Sequence, residues 1–218
     1  MKNYITLFII LLFGRNAAVA QENKEAVLHQ LNQTIEQSAT YIQAKEQRIA
    51  SLEKALKKAS QPAEKYDLHK QLYEEYQKFK VDSAVSYLLK NEQIALMLND
   101  ITKQDETHIS LSKLYSAKGM YVESLQLLSS VDKQRLDNTL LCDYYDTYHS
   151  FYSRYGQSTN NLHYFKLSDS YRDSLLQCLA TDSMLFKIND AIREFYLADK
   201  EQATKQFLQL LNQTPITD

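Results

Sequence analysis

Glycine and proline are close to missing from this chain: three glycines and two prolines occur in 218 residues. An all-β sandwich or barrel needs many tight turns, so the shortage argues against that class. A glycine-rich phosphate loop is missing too. Five histidines stand at 29, 69, 108, 149 and 163, and no two are one helix turn apart as His-x-x-x-His. That disfavours a zinc site. No Gly-x-Ser-x-Gly elbow occurs, and neither cysteine sits in a nucleophile motif. We therefore expect no catalysis, no metal and no cofactor. Charge of one sign is also scarce, with 25 basic against 27 acidic residues. A mildly acidic chain without a basic cluster does not fit nucleic-acid binding by this segment.

Long apolar runs are absent after the N-terminus. The one clear run, Ile5 to Phe13, is nine residues, whereas a bilayer takes roughly twenty. It follows Lys2 and precedes Ala18-Val19-Ala20, the small-x-small pattern of a signal peptidase site, with Gln21 next. Residues 1–20 read as a cleaved secretory signal and the mature chain as periplasmic, without a transmembrane helix. An uncut anchor is the alternative. No cysteine lies near the cleavage site, which disfavours a lipid anchor. Loss of Lys2 and Arg15 leaves a net charge of about −4, since 23 basic residues then face 27 acidic ones.

What remains is helical in pattern. Residues 21–60 read as one long amphipathic helix, with Leu28, Ile35, Ile42, Ile49 and Leu56 every seven residues. Leu31 and Leu52 fill the companion column, but Ser38 and Lys45 interrupt it. A seven-residue repeat suggests a coiled-coil seam. The interruptions favour a cap on the following helices over a homodimer through residues 25–58. Ser60-Gln61-Pro62 ends this helix and starts the next, over 62–79. Asp82-Ser83 is expected to cap a helix through Asn99, and 100–107 reads as a polar loop with a helix start.

From His108 to Leu128 the residues Leu111, Ser112, Tyr115, Gly119, Tyr121, Ser124 and Leu128 follow the order of a 34-residue tetratricopeptide (TPR) unit: large, small, aromatic, Gly, aromatic, small, large. Small residues at 112 and 124 let two helices cross closely, and Gly119 releases the backbone at the turn. Weaker copies start near Cys142 (Tyr145, Tyr148, Tyr152, Gly156, Phe165) and near Met184 (Ala191, Ala203, Phe207, Pro215), and the pair at 62–99 fits least. The expected fold is all-α, a TPR-like α-solenoid over 61–218 behind a long N-terminal helix, because one repeat alone cannot bury its apolar face. A non-repeating helical bundle is the alternative. With the third turn at Gly156, Cys142 and Cys178 stand fourteen and twenty-two residues from it. Unequal arms favour two small buried thiols over the disulfide that an oxidising periplasm permits.

Several stretches resemble a known family. They include Tyr73-Glu74-Glu75-Tyr76, Asp82-Ser83-Ala84, Leu114-Tyr115-Ser116-Ala117-Lys118-Gly119-Met120-Tyr121, Asp143-Tyr144-Tyr145-Asp146-Thr147-Tyr148 and Tyr171-Arg172-Asp173-Ser174-Leu175. Together they look like the periplasmic N-terminal half of SusR-like regulators of Bacteroidetes. The resemblance implies a TPR sensor for sugar-responsive transcription, followed in that family by a membrane helix and a DNA-binding region. This sequence carries neither by Asp218, so promoter control by this segment alone is not expected.

Sixteen Tyr and eight Phe are an unusual aromatic supply. By TPR register Tyr145, Tyr148 and Tyr152 pack between helices. The concave groove is lined instead by other positions of each first helix. These are Tyr66, His69, Tyr73 and Tyr76, then Lys113 and Ser116, then Asp143, Asp146, Ser150 and Arg154, then Ile188 and Phe195. Tyr beside Asp, Ser and Arg suits an oligosaccharide or an extended peptide. The competing function is a protein–protein scaffold or assembly factor of the cell envelope.

Overall fold

The computed structural model describes residues 2–197, 205–206 and 208–210, with side chains from Val27 on except at 30, 34, 37, 196 and 197. The leader, Ala203, Phe207 and Pro215 carry expectations that lie outside the described side chains. By contact the chain divides into two compact units, Met1–Ala55 and Leu56–Asp218.

The first unit is helix α1, Lys2–Lys58, which runs on past the unit's end. It has no glycine or proline after Gly14 to interrupt it. Its heptad stripe is uneven. Leu28, Leu31, Ile35 and Ile42 are about half exposed, whereas Ile49 is 7% exposed.

The second unit is a run of helical hairpins. Helices α2 (Pro62–Tyr76) and α3 (Val81–Met97) form the first, and α4 (Ile101–Ala117) and α5 (Tyr121–Ser130) the second. A 3-10 turn at Lys133–Arg135 leads to α6 (Asn138–Thr159) and α7 (Leu162–Cys178), and α8 (Met184–Leu197) follows. No strand occurs among the described residues. Helix α4 packs on α3, α5 and α6, and α6 packs on α4, α5 and α7. The stack is thus all-α and solenoidal, each pair burying its apolar face on the next.

Three turns share one device. Asn99, Gly119 and Asn160 take positive φ (52°, 78° and 50°). At each, two backbone amides reach back to close the helix, as in Met120 N–H to Tyr115 O (2.9 Å) and Gly119 N–H to Ser116 O (3.1 Å). This is the Schellman closure, and Gly and Asn are the residues that tolerate its left-handed step. Twice the next residue opens the following helix. Asp100 accepts from the Lys103 amide at 3.0 Å, and Asn161 from that of His163 at 2.9 Å.

That device corrects three expectations. The helix start expected within 100–107 falls at its first residues and leaves no loop there: α4 begins at Ile101 because Asn99-Asp100 is a stop and a start. Its polar residues are used inside the stack, where buried Asp105 accepts from Arg135. Gly156 is no turn residue but lies inside α6, where an added Cβ would stand 3.3 Å from Phe165 and Tyr164. The turn falls at Asn160, eighteen residues from each cysteine. Equal arms bring Cys142 and Cys178 opposite, Cα–Cα 5.8 Å, and they form a disulfide, not two free thiols. Capping is shifted too, with Lys80 ahead of α3 in place of Asp82-Ser83, and Gln61 ahead of α2.

The close crossing at Ser112 and Ser124 is as the small residues require. Both are fully buried, with hydroxyls 2.8 Å apart and each hydroxyl 2.9 Å from the other's carbonyl oxygen. In the third hairpin Ser168 plays this part against His149, its hydroxyl donating to the His149 carbonyl at 2.9 Å. Around it lies an aromatic cluster in which Tyr148 stacks on Tyr171 at 4.5 Å and Phe151 is 2% exposed.

Candidate functional site

The first helices of the three hairpins line a cleft of about 250 Å³. Helix α2 supplies Lys70, Tyr73, Glu74 and Gln77. Helix α4 supplies Glu106, Ile109, Ser110 and Lys113, and α6 supplies Leu140, Asp143 and Thr147. On each helix these positions recur at spacings of three or four, the stripe that one helix face presents. Because α2, α4 and α6 occupy the same place in successive hairpins, their stripes fall side by side.

Charge in the cleft is organised in pairs. Lys70 bonds Glu106 across α2 and α4. Lys113 bonds Asp146 across α4 and α6 at 2.8 Å. Glu106 is also held by the Tyr66 hydroxyl, which donates to it at 2.8 Å. Counting Asp146, four carboxylates face two ammonium groups, so the site is net acidic. The hydrogen bond from Lys70 to Glu106 keeps that ammonium basic above its usual range. Burial works against the Lys113 charge, but Asp146 outweighs it and the net direction is upward. Asp143 stands at the rim. Partial desolvation, with help from the Asp146 charge, raises its carboxyl against the pull of Lys113.

Of the sequence-predicted residues, the cleft brings together Tyr73, Lys113 and Asp143, with Asp146 held to Lys113. Others lie elsewhere. Tyr66 is 2% exposed, and its hydroxyl lies within 3.0 Å of the Lys103 carbonyl and Thr107 Oγ1. His69 is buried with Nδ1 3.0 Å from Asn91 Oδ1, and burial lowers its basicity. Tyr76 turns to stack on Tyr87 of α3 at 5.8 Å. Ser116 is buried, Ser150 is half-buried, and Arg154 is exposed on α6 beyond the cleft. Ile188 and Phe195 sit partly exposed on α8. The reason is position along α2 and not helical phase. Tyr66 and His69 precede Tyr73 by seven and four residues and share its face, but the Tyr66 hydroxyl is taken up by Lys103, Glu106 and Thr107 of α4, and the His69 ring by Asn91 of α3.

Sequence reasoning missed Lys70, Gln77, Glu106, Ser110 and Thr147. Three were legible as the i−3, i+4 and i+4 neighbours of Tyr73 and Asp143. Glu106 was hidden because its segment reads as a loop.

A second, larger cleft of about 620 Å³ lies among α5, α6 and α7, walled by Tyr121, Phe151, Tyr152, Tyr155 and Tyr164. Tyr121 meets Tyr155 edge-on at 5.1 Å, and Tyr155 meets Tyr164 at 4.6 Å. This wall is apolar apart from its phenol tips and Glu123.

One side-chain trio has the order of a hydrolytic triad. His108 stands 2.9 Å from the Ser130 hydroxyl and 3.4 Å from Glu92. The Ser130 hydroxyl also has the Leu127 carbonyl as an acceptor at 2.7 Å, which competes with transfer of its proton to His108. Ser130 also ends α5, where carbonyls face outward and no amide pair awaits an oxyanion. Among the described residues no cluster of three His, Cys, Asp or Glu could hold a metal ion. No described helix is long and apolar enough to cross a membrane.

A family model described as the SusR N-terminal TPR domain matches residues 35–218. No curated protein and no solved structure matches the chain.

Proposed function

The chain belongs to the SusR N-terminal TPR domain family, and from that premise we propose that it is an exported, periplasmic binding module that senses a ligand in the cleft of α2, α4 and α6 and catalyses nothing. The observation that carries this is the convergence of Tyr73, Lys113 and Asp143 from three helices on one cleft, with Lys70 and Glu106 between them. Pre-formed ion pairs hold these side chains in place before any ligand arrives, which lowers the ordering cost of binding. The net acidic lining favours a ligand rich in donors, a neutral oligosaccharide or a basic extended peptide, over an acidic one. Tyr73 adds rigid apolar area beside them.

Thermal unfolding against a panel of oligosaccharides and peptides tests it. A ligand at a hundred times its dissociation constant adds about 2.7 kcal/mol, and each kcal/mol moves the midpoint by roughly 2–4 °C at this size. Lys113→Met with Asp143→Asn should abolish the shift, because both sit on the rim and leave the core intact. Tyr155→Ala, in the aromatic cleft, should leave it in place. A flat panel at millimolar ligand sinks the small-ligand reading. A shift lost only with Tyr155→Ala moves the site to the aromatic cleft.

A second reading, assembly through α1, is favoured by the exposed stripe Leu28, Leu31, Ile35 and Ile42.

A further inference from the structure

We propose that α1 pairs with a second copy of itself, and that the two helices run antiparallel over Leu28–Lys45. This deepens the assembly reading of α1 and is independent of what the cleft between α2, α4 and α6 binds.

The surface is one-sided. Val27, Leu28, Leu31, Ile35, Tyr41 and Ile42 are 46–59% exposed and fall in the first, fourth and last columns of one heptad frame. The other side is polar, with His29 and Gln33 bonded to each other along it at 3.2 Å. Six half-exposed large side chains on each copy offer on the order of 1,000 Å² in total, the size of a weak, reversible interface.

Orientation follows from the two polar interruptions. In a parallel pair each residue meets its own copy, so Lys45 would oppose Lys45 and Ser38 would oppose Ser38 inside the seam. Two ammonium groups desolvated side by side repel strongly. In an antiparallel pair with Ile35 opposite Ser38, Leu31 meets Ile42 and Leu28 meets Lys45. Every polar position then faces an apolar one. The two lysines stand at opposite ends, where each can lay its stem on a leucine and keep its charge in water. Ser38 can enter such a seam without an orphaned hydrogen, since its hydroxyl donates to the Ile35 carbonyl at 2.6 Å.

The test is engineered cross-linking in the full chain, whose native cysteines are already paired. Chains carrying Leu28→Cys and Lys45→Cys are mixed and oxidised mildly. The expected product is a mixed 28–45 disulfide dimer, with little 28–28 product, because antiparallel packing separates those positions by about 26 Å along the axis. Sedimentation of the unaltered chain should show a reversible dimer that Ile35→Lys returns to monomer with unchanged helix content. A monomer at every concentration overturns pairing itself. Efficient 28–28 cross-linking with a dimer in solution overturns the antiparallel orientation.

Discussion

Hairpins α4–α5 and α6–α7 cross their helices over a small side chain, but they are held in different ways. In α4–α5 two buried serines bond each other and Gly119 makes the turn. In α6–α7 the serine faces a histidine, Asn160 makes the turn, and the length gained is filled with stacked tyrosines and closed by the disulfide. The first is short and local, and the second depends on contacts far apart in sequence. One repeat template can thus be kept while its turn is displaced by four residues, provided another residue tolerates the left-handed step.

Four outcomes bear on that contrast, all read by urea unfolding of the chain. The largest concerns the aromatic packing. Phe151→Ala should cost about 3–5 kcal/mol, since its ring is buried against Tyr121, Tyr152 and Tyr155. A loss below 1 kcal/mol would mean that the α6–α7 cluster is not a core. Next comes the disulfide. It closes a separation of 36 residues, so replacing both cysteines with serine should cost about 2–4 kcal/mol. Mild reductant should do the same to the native chain and nothing further to the variant.

Third are the two glycines. Gly119→Ala should cost about 1 kcal/mol from its positive φ alone, since an added Cβ meets nothing within 4 Å. Gly119→Asn should be near neutral. At Gly156 the order should reverse, with Asn worse than Ala, because the constraint there is contact with Tyr164 and Phe165 and not φ. Equal responses at both sites would refute the distinction.

The smallest effect is on pH. Burial depresses the basicity of His69 and His149. A base whose folded value lies below the unfolded one, about 6.5, is released into a more protonated unfolded state as pH falls. Stability should therefore be whole above about pH 6.5 and decline below it. His149→Gln should flatten part of that decline in α6–α7, and no Ser112 or Ser124 variant should.

Much of the stack was legible because its determinants are local. Ser112, Gly119 and Ser124 announced a tight hairpin, and the seven-residue column of α1 announced one long helix. The 100–107 segment misled because its polar residues look solvated, although Asp105 and Glu106 find partners thirty or more positions away in the chain. Tyr66 and Tyr76 misled for the converse reason. Their spacing matches that of Tyr73, but α4 takes up the Tyr66 hydroxyl and α3 stacks Tyr76 on Tyr87. Lys113, Asp143 and Asp146 were found because TPR register counts along first helices. Glu106 needed the ion pair with Lys70 across two helices to be visible.

Local pattern is enough for the helical class, the close crossing of α4 on α5 and the amphipathic stripe of α1. Each rests on interactions within a few residues or on a strict period. Tertiary structure alone decided the Asn160 turn, the pairing of Cys142 with Cys178 and the membership of the cleft. Those depend on which helix faces meet, and helix faces meet through packing between elements that no local pattern encodes.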